Sequence, residues 1–115
     1  MTIQEFITKL TKEPKNIQFS ETMAVIDAHY EFTPTLFQNG NLENKAGENS
    51  GSCKLFSFAK LQELSKEDTL ACFGSIYFDE VLNDPSGSGH QNIRNFMITG
   101  FDGLKISGVA LTPLG

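Results

Sequence analysis

Closely spaced turn signals restrict this chain to short secondary-structure elements. Asn39-Gly40 is the strongest of these signals, because this pair favours the left-handed backbone conformations of a two-residue hairpin turn. It predicts a hairpin between residues 35–38 and residues 41–44. Residues 45–51 combine Asn, Gly and Ser with little apolar content, so they are predicted to form a loop. The helices and strands between such breaks must be short.

The first third of the sequence predicts two helices. Thr2 and Glu5 have the spacing of a capping box, in which each side chain satisfies a free N–H group at the helix start. The apolar residues that follow have helical spacing: Ile3, Phe6, Ile7 and Leu10. Pro14 ends this helix. Ser20 is a favourable N-cap residue and predicts a second helix over residues 21–28.

Three more helices are predicted further along the chain. The third begins near Ser52, and Ser65 is the N-cap residue of the fourth. The fourth carries an apolar stripe: Leu70, Phe73, Ile76, Tyr77 and Val81. Gly74 is unfavourable inside a helix, so we expect another helix to pack closely against it. After a loop at residues 84–89, the fifth helix covers residues 90–99.

Short alternating segments predict a small β-component. Residues 16–19 alternate between polar and apolar side chains and predict one strand. Terminal strands are predicted from a second alternation: Leu104, Ile106, Val109 and Leu111. The expected fold is a single α+β domain over residues 1–115, with about five short helices packed on a small antiparallel sheet. Ten Phe and no Trp predict a core rich in aromatic contacts.

The charge composition disfavours polyanionic partners. Fourteen Asp and Glu outnumber nine Lys and Arg, which gives a net charge of −5. Arg94 is the single arginine, and the sequence contains no basic cluster. Nucleic acids and anionic membrane surfaces require several basic residues for binding, so we expect neither as a partner. No apolar run reaches the length of a membrane span.

Cys53 is a candidate nucleophile because it lies at a predicted helix start. Backbone N–H groups and the helix dipole lower the pKa of a thiol there, and His90 is the candidate base. The alternative is a small, half-buried residue that opens the helix. Cys72 lies between Ala71 and Phe73 and is expected in the core. Two cysteines are too few for a disulfide scaffold, so a reducing cytoplasm is expected.

Two Asn-containing blocks, residues 39–58 and 90–97, predict a polar recognition surface. Each places hydrogen-bonding side chains beside a loop and at a helix start. The expected ligand-binding residues are Asn39, Asn49, Ser52, Cys53, His90, Asn92 and Arg94. Internal roles are the alternative: tying down a loop for the asparagines, a surface position for His90, and a salt bridge for Arg94.

No metal site and no cofactor are expected. The two His, two Cys and scattered acidic residues lack the spacings of zinc sites and EF-hands. Residues 47–52 resemble a phosphate-binding loop in composition only, since the second Gly comes one residue early and Lys54 follows Cys53. A lone anion at that helix start is still compatible with the sequence.

Four sequence segments carry a family resemblance. They are MAVIDAHYEFTPTLFQNG (23–40), AGENSGSCKLFSFA (46–59), ACFG (71–74) and HQNIRNFM (90–97). Together they resemble the HopJ family, which includes type III effectors of plant-pathogenic bacteria and their relatives. The resemblance extends from about residue 3 to residue 111. It implies no activity, substrate or catalytic residue that could be assigned to positions in this chain.

Three functional hypotheses follow. A non-enzymatic binding or regulatory protein would use the polar blocks to hold a small polar ligand or a protein partner. A small hydrolase or transferase would use Cys53 and His90. A secreted effector would act on a host protein. Because the first apolar stripe begins at Ile3 and leaves little room for a separate export segment, we expect an intracellular protein. We expect a monomer because the apolar stripes have the pattern of core residues.

Overall fold

Five α-helices and five short β-strands form the part of the chain that the computed structural model describes, residues 1–114. The helices are α1 (Ile3–Lys12), α2 (Phe19–His29), α3 (Ser50–Gln62), α4 (Lys66–Ala71) and α5 (Gln91–Thr99). Short 3-10 turns occupy Pro14–Asn16 and Gly100–Gly103, and a π-helical segment covers Ile76–Val81. The α+β fold predicted from the sequence is confirmed.

The strands form two small antiparallel sheets instead of one. In the first, β1 (Tyr30–Phe32) pairs with β5 (Leu111–Pro113). In the second, β2 (Phe37–Asn39) lies between β3 (Leu42–Asn44) and β4 (Leu104–Ile106). The predicted hairpin is therefore present, but its turn lies one residue later than predicted: Asn39 pairs with Leu42 in the ladder, and the two-residue turn is Gly40-Asn41, with positive φ at Gly40. The predicted terminal strands are also present, but they belong to different sheets.

Local capping signals located the starts of α1 and α4 correctly. The N–H group of Glu5 donates to the Thr2 hydroxyl at 3.0 Å, and the Thr2 N–H donates back to the Glu5 carboxylate at 2.7 Å. The N–H group of Asp68 donates to the Ser65 hydroxyl at 3.1 Å. In both cases a single side chain satisfies a free N–H group of the first turn, which makes the signal readable from sequence.

The predicted start of α2 is wrong, and so is the predicted strand over residues 16–19. Pro14 begins a 3-10 turn, in which the Asn16 N–H donates to the Glu13 carbonyl at 2.9 Å. Gln18 is then the N-cap residue of α2, and its N–H contacts the Glu21 carboxylate at 3.3 Å. Ser20 already lies inside the helix. Similarly, α3 starts at Ser50, two residues before the predicted position.

The predicted fourth helix is interrupted at Gly74. This residue has φ +63°, and a Cβ atom there would lie 2.7 Å from the Ile17 carbonyl oxygen and 2.9 Å from the Phe19 nitrogen. The expected close approach is present, but its partner is the segment between α1 and α2. The predicted apolar stripe is consequently divided: Leu70 lies in α4, Phe73 in the turn after it, and Ile76, Tyr77 and Val81 in the π-helical segment.

A cluster of Phe side chains forms the centre of the core, as predicted. The Phe56 ring on α3 lies 4.9 Å from that of Phe96, 5.6 Å from that of Phe73 and 6.2 Å from that of Phe37, measured between centroids. All four side chains are buried. Because Phe96 lies on α5 and Phe37 on β2, this cluster fixes the positions of α3, α5 and the hairpin relative to one another.

Candidate functional site

The two polar sequence blocks meet at one cleft of about 410 Å³. The cleft lies between the start of α3, the β2–β3 hairpin, the π-helical segment and the start of α5. Its lining residues are Phe19, Leu42, Asn49, Ser52, Phe73, Ile76, His90, Gln91, Asn92 and Ile93. Of the predicted ligand-binding residues, Asn49, Ser52, His90 and Asn92 thus line this cleft.

A network of asparagine side chains joins the hairpin to both helix starts. The Asn39 Nδ2 donates to the backbone oxygen of Asn92 at 2.7 Å and to its Oδ1 at 3.0 Å. Asn44 and Asn92 exchange two hydrogen bonds, of 3.2 and 3.0 Å. The Asn49 Nδ2 donates to the Asn44 Oδ1 at 2.6 Å. These contacts hold the polar side of the cleft in place.

This network gives several predicted binding residues an internal role. Asn39 is fully buried and lies outside the cleft, and its Oδ1 has no hydrogen-bond partner within residues 1–114. Asn92 is 7% exposed, and its side-chain amide is hydrogen-bonded to Asn39 and Asn44. Asn44 is a further member that the sequence analysis did not single out. It ends β3, opposite Phe37, and its place among the asparagines of residues 39–58 was the available signal.

Both helix starts at the cleft have the same unusual backbone. Asn49 has φ 49° and His90 has φ 55°, so each N-cap residue adopts the left-handed conformation. Residues other than Gly seldom adopt it, and Asn tolerates it best. Neither residue forms a side-chain capping hydrogen bond. The first N–H groups of α3 and α5 therefore lie at a polar cleft without a side-chain cap.

Cys53 lacks the environment of a nucleophile. Its side chain is 1% exposed, and its Sγ contacts the Thr35 carbonyl oxygen at 3.7 Å. Burial raises the pKa of the Cys53 thiol, which opposes the effect of the helix start. Within residues 1–114 it forms no hydrogen bond with His90, whose Nε2 lies 3.3 Å from the Glu80 carboxylate. Cys72 lies in the core, and burial raises its thiol pKa to about 12.

Arg94 binds the loop at residues 84–89 and does not line the cleft. Its Nε donates to the Gly89 carbonyl oxygen at 2.5 Å, and its Nη1 donates to the Asp84 carbonyl oxygen at 2.7 Å. Its Nη2 lies 3.9 Å from the Asp84 carboxylate. Arg94 was expected either to bind a ligand or to form an internal salt bridge. Its contacts in this structure are internal, to the Asp84 carboxylate and to two backbone oxygens.

Comparison with known proteins identifies the family. The HopJ type III effector protein family matches residues 3–111, nearly the whole chain. The chain belongs to the HopJ family. A crystal structure of VPA0580, described as a protein of unknown function, shares 51% sequence identity with this HopJ protein and superposes with a TM-score of 0.96. That similarity covers 98% of this chain and 94% of that chain. No curated protein shows significant sequence similarity.

The HopJ assignment confirms the resemblance inferred from the sequence, but it supplies no catalytic or ligand-binding residues. No helix within residues 1–114 is long and apolar enough to cross a membrane. In the same residues, no three His, Cys, Asp or Glu side chains cluster in a way that could hold a metal ion. The function of this HopJ protein must therefore be argued from the chemistry of its cleft.

Proposed function

We propose that this HopJ protein is a small intracellular binding or regulatory protein without catalytic activity, whose cleft holds a small polar organic molecule. The observation that supports the proposal is the convergence of two helix starts, with Asn49, Ser52 and Gln91, on one cleft of about 410 Å³. Small-molecule sites commonly combine apolar walls with a few polar groups in a concave space of several hundred Å³.

Internal hydrogen bonds already orient the polar groups of the cleft. Asn49 donates through its Nδ2 to Asn44, which leaves its Oδ1 as an acceptor. Gln91 donates through its Nε2 to the Ser88 carbonyl oxygen at 2.6 Å, which leaves its Oε1 as a second acceptor. Ser52 adds a hydroxyl group. Side chains fixed in this way lose less conformational entropy when a ligand binds, which favours affinity.

A Cys-dependent hydrolase or transferase has less support. Cys53 is buried, lies outside the cleft lining and is held in the neutral thiol form by burial. His90 lines the cleft but contacts Glu80. A nucleophile requires a base within hydrogen-bond reach, and this pair does not meet that requirement.

Family membership favours a second candidate, an exported effector that acts on a host protein. The supporting observation is the type III effector description of the family that matches residues 3–111. The test is a fusion of the whole chain to a translocation reporter in a bacterium with a working type III system. Reporter signal in host cells, lost when the system is disabled, would support export. Delivery of a control effector without delivery of this fusion would contradict it.

An amide NMR titration tests the binding proposal. The ¹⁵N-labelled protein is mixed with nucleotides, sugars, amino acids and other small metabolites. We expect at least one compound to shift the amides of residues 49–52 and 90–93 together, because these segments share the cleft. The Ser52→Leu variant should weaken that binding by partly filling the cleft. Thr8→Leu, on the exposed face of α1, is the matched control and should bind normally.

The proposal fails if no compound in a broad panel shifts these amides while the spectrum remains well dispersed. Shifts confined to residues distant from the cleft would also contradict it. Equal weakening by Ser52→Leu and Thr8→Leu would show that the measured binding does not use the cleft.

A further inference from the structure

One wall of the cleft is built from two aromatic rings. Phe19 and Phe73 both line it, and their rings are almost parallel, with an interplanar angle of 3° and centroids 6.0 Å apart. Phe73 is 2% exposed and packs edge-on against Phe56 in the core, at 5.6 Å. The orientation of the Phe73 ring is therefore fixed by the core, and the half-buried Phe19 ring lies parallel to it.

The position of the Phe19 ring depends on a glycine at the start of α3. A Cβ atom at Gly51 would lie 3.0 Å from the Phe19 Cζ. With glycine there, the ring of Phe19 packs directly against the first turn of α3. That contact puts an aromatic surface beside Asn49 and Ser52, which supply the hydrogen-bonding groups on this side of the cleft.

The chemistry of the remaining lining residues restricts the occupant further. Leu42, Ile76 and Ile93 are apolar, and the cleft has no Asp, Glu, Lys or Arg in its lining. His90 is the one ionisable side chain in the lining, and it already contacts the Glu80 carboxylate at 3.3 Å. A strongly charged ligand would therefore have to leave water without an unpaired countercharge from a side chain, which is costly. The cleft therefore suits an uncharged molecule with one apolar face and one hydrogen-bonding edge.

We infer that the cleft binds a neutral, planar aromatic molecule that carries a hydrogen-bonding group, such as a carboxamide, on one edge. This inference rests on the proposed binding function. The ring packs mainly against the half-buried Phe19, which is supported by the buried Phe73. Its polar edge faces Asn49 and Ser52, where the amide and hydroxyl groups offer both donors and acceptors.

Three probes of similar size test the inference by NMR titration: benzamide, cyclohexanecarboxamide and benzoate. Aromatic contacts add attraction beyond area burial, so benzamide should bind about threefold to tenfold more tightly than cyclohexanecarboxamide. It should also bind more tightly than benzoate, because the lining has no Lys or Arg and its one imidazole, that of His90, already contacts the Glu80 carboxylate. Intermolecular NOEs should connect the benzamide ring protons to the Phe19 ring.

Paired Phe→Leu variants separate the aromatic wall from general destabilisation. Phe19→Leu should remove the preference for benzamide over cyclohexanecarboxamide. Phe101→Leu is the matched control, because Phe101 is also half-buried, lies outside the cleft lining and packs against Phe96 at 5.0 Å. That variant should retain the preference.

The possible failures are distinguishable. Equal binding of benzamide and cyclohexanecarboxamide at the cleft amides would overturn the preference for an aromatic ring. Tighter binding of benzoate than of benzamide would overturn the preference for an uncharged ligand. Either result leaves the binding function in place. If all three probes fail while another metabolite shifts the same amides, only the present inference is wrong. If no compound shifts them, both proposals fail.

Discussion

At the scale of single residues, the amides near the cleft divide into supports and candidate contacts. Asn39 and Asn92 are buried in mutual hydrogen bonds, whereas Asn49 and Gln91 line the cleft and their side-chain oxygens accept no hydrogen bond within residues 1–114. The sequence identified the asparagine blocks but could not separate these roles. An amide side chain has two donors and an acceptor, so it is equally suited to an internal partner and to a ligand.

Replacing Asn92 by Ala should strongly destabilise the protein. The change removes the side-chain acceptor shared by Asn39 and Asn44. Asn39 keeps its bond to the Asn92 backbone oxygen, but the buried Asn44 amide is left unpaired, at about 1–3 kcal/mol, and the bond from Asn92 to the Asn44 Oδ1 is also lost. We expect the free energy of unfolding in urea to fall by about 2–4 kcal/mol. Asn41→Ala is the control, since Asn41 is exposed and its side chain accepts one 3.3 Å bond. Similar losses in both variants would contradict the network.

Cys53 should be alkylated more slowly than an unstructured cysteine. Burial raises its thiol pKa, so at any pH below that value the reactive thiolate fraction is smaller than in a free thiol. The reaction with iodoacetamide, followed by mass spectrometry from pH 6 to 9, should remain slow and should accelerate when urea unfolds the chain. Cys72 should react more slowly still, because its pKa is raised to about 12. Fast alkylation of folded Cys53 near pH 7 would revive the enzyme hypothesis.

At the scale of elements, the sequence predicted the helix starts and the turn whose positions depend on contacts between neighbouring residues. The caps of α1 and α4 and the hairpin are set by residues three or fewer positions apart, such as Thr2 with Glu5. The interruption after α4 was missed, because Gly74 is positioned by the distant residues Ile17 and Phe19. Helical periodicity continues through that break, so the apolar stripe alone cannot reveal it.

Gly74→Ala should be much more damaging than Gly47→Ala. Both glycines have positive φ, +63° and +91°, so an alanine is strained at either position. Only at Gly74 would the new methyl group also meet backbone atoms closer than 3.0 Å, whereas Gly47 has open space. We expect a loss of about 1 kcal/mol for Gly47→Ala and at least twice that for Gly74→Ala, measured by urea unfolding. Equal losses would show that backbone strain, and not close packing, requires Gly74.

Arg94 should restrain the loop that precedes α5. Arg94→Met keeps most of the side-chain length but removes the hydrogen bonds to Asp84 and Gly89. The Gly87 amide, which donates to the Asp84 carbonyl oxygen at 3.0 Å, should exchange with deuterium about tenfold faster. Lys105→Met, at an exposed position in β4, should leave this rate unchanged. An unaltered rate in Arg94→Met would mean that the loop is ordered without the guanidinium.

At the scale of the whole molecule, β1 and β5 join the first third of the chain to its end. The register pairs Tyr30 with Pro113 and Phe32 with Leu111, and the Leu114 N–H donates to the His29 carbonyl oxygen at 3.1 Å. The sequence predicted a terminal strand around Leu111 but not its partner. Strands of three residues carry too little pattern to specify a register across such a separation.

Leu111→Ala tests how much the β1–β5 pairing contributes to stability. Leu111 is 3% exposed and belongs to the core, so its truncation should cost about 2–5 kcal/mol. Leu114→Ala changes the same residue type three positions later, where the side chain is 58% exposed, and should cost less than about 0.5 kcal/mol. Thermal unfolding followed by circular dichroism compares the two. A small effect at Leu111 would mean that β5 contributes little to stability.

The sequence anticipated the polar half of the cleft and missed the aromatic half. Asn49, Ser52 and His90 lie in blocks with a recognisable composition, so their neighbourhood could be inferred. Phe19 and Phe73 carry no local signal that distinguishes them from the other Phe residues. They line the cleft only because Gly74 and Gly51 allow their segments to approach each other and α3.

The cleft has walls from segments that are far apart in the chain, including Phe19, Ser52, Ile76 and His90. A ligand can bind there only when the chain is completely folded, so its binding free energy adds to the free energy of unfolding. At a ligand concentration of 100 times Kd the gain is about 2.7 kcal/mol, or roughly a hundredfold fewer unfolded molecules. Inside a cell, proteases remove chains from that unfolded population. The amount of this protein is therefore expected to follow the supply of its ligand even when its synthesis is constant.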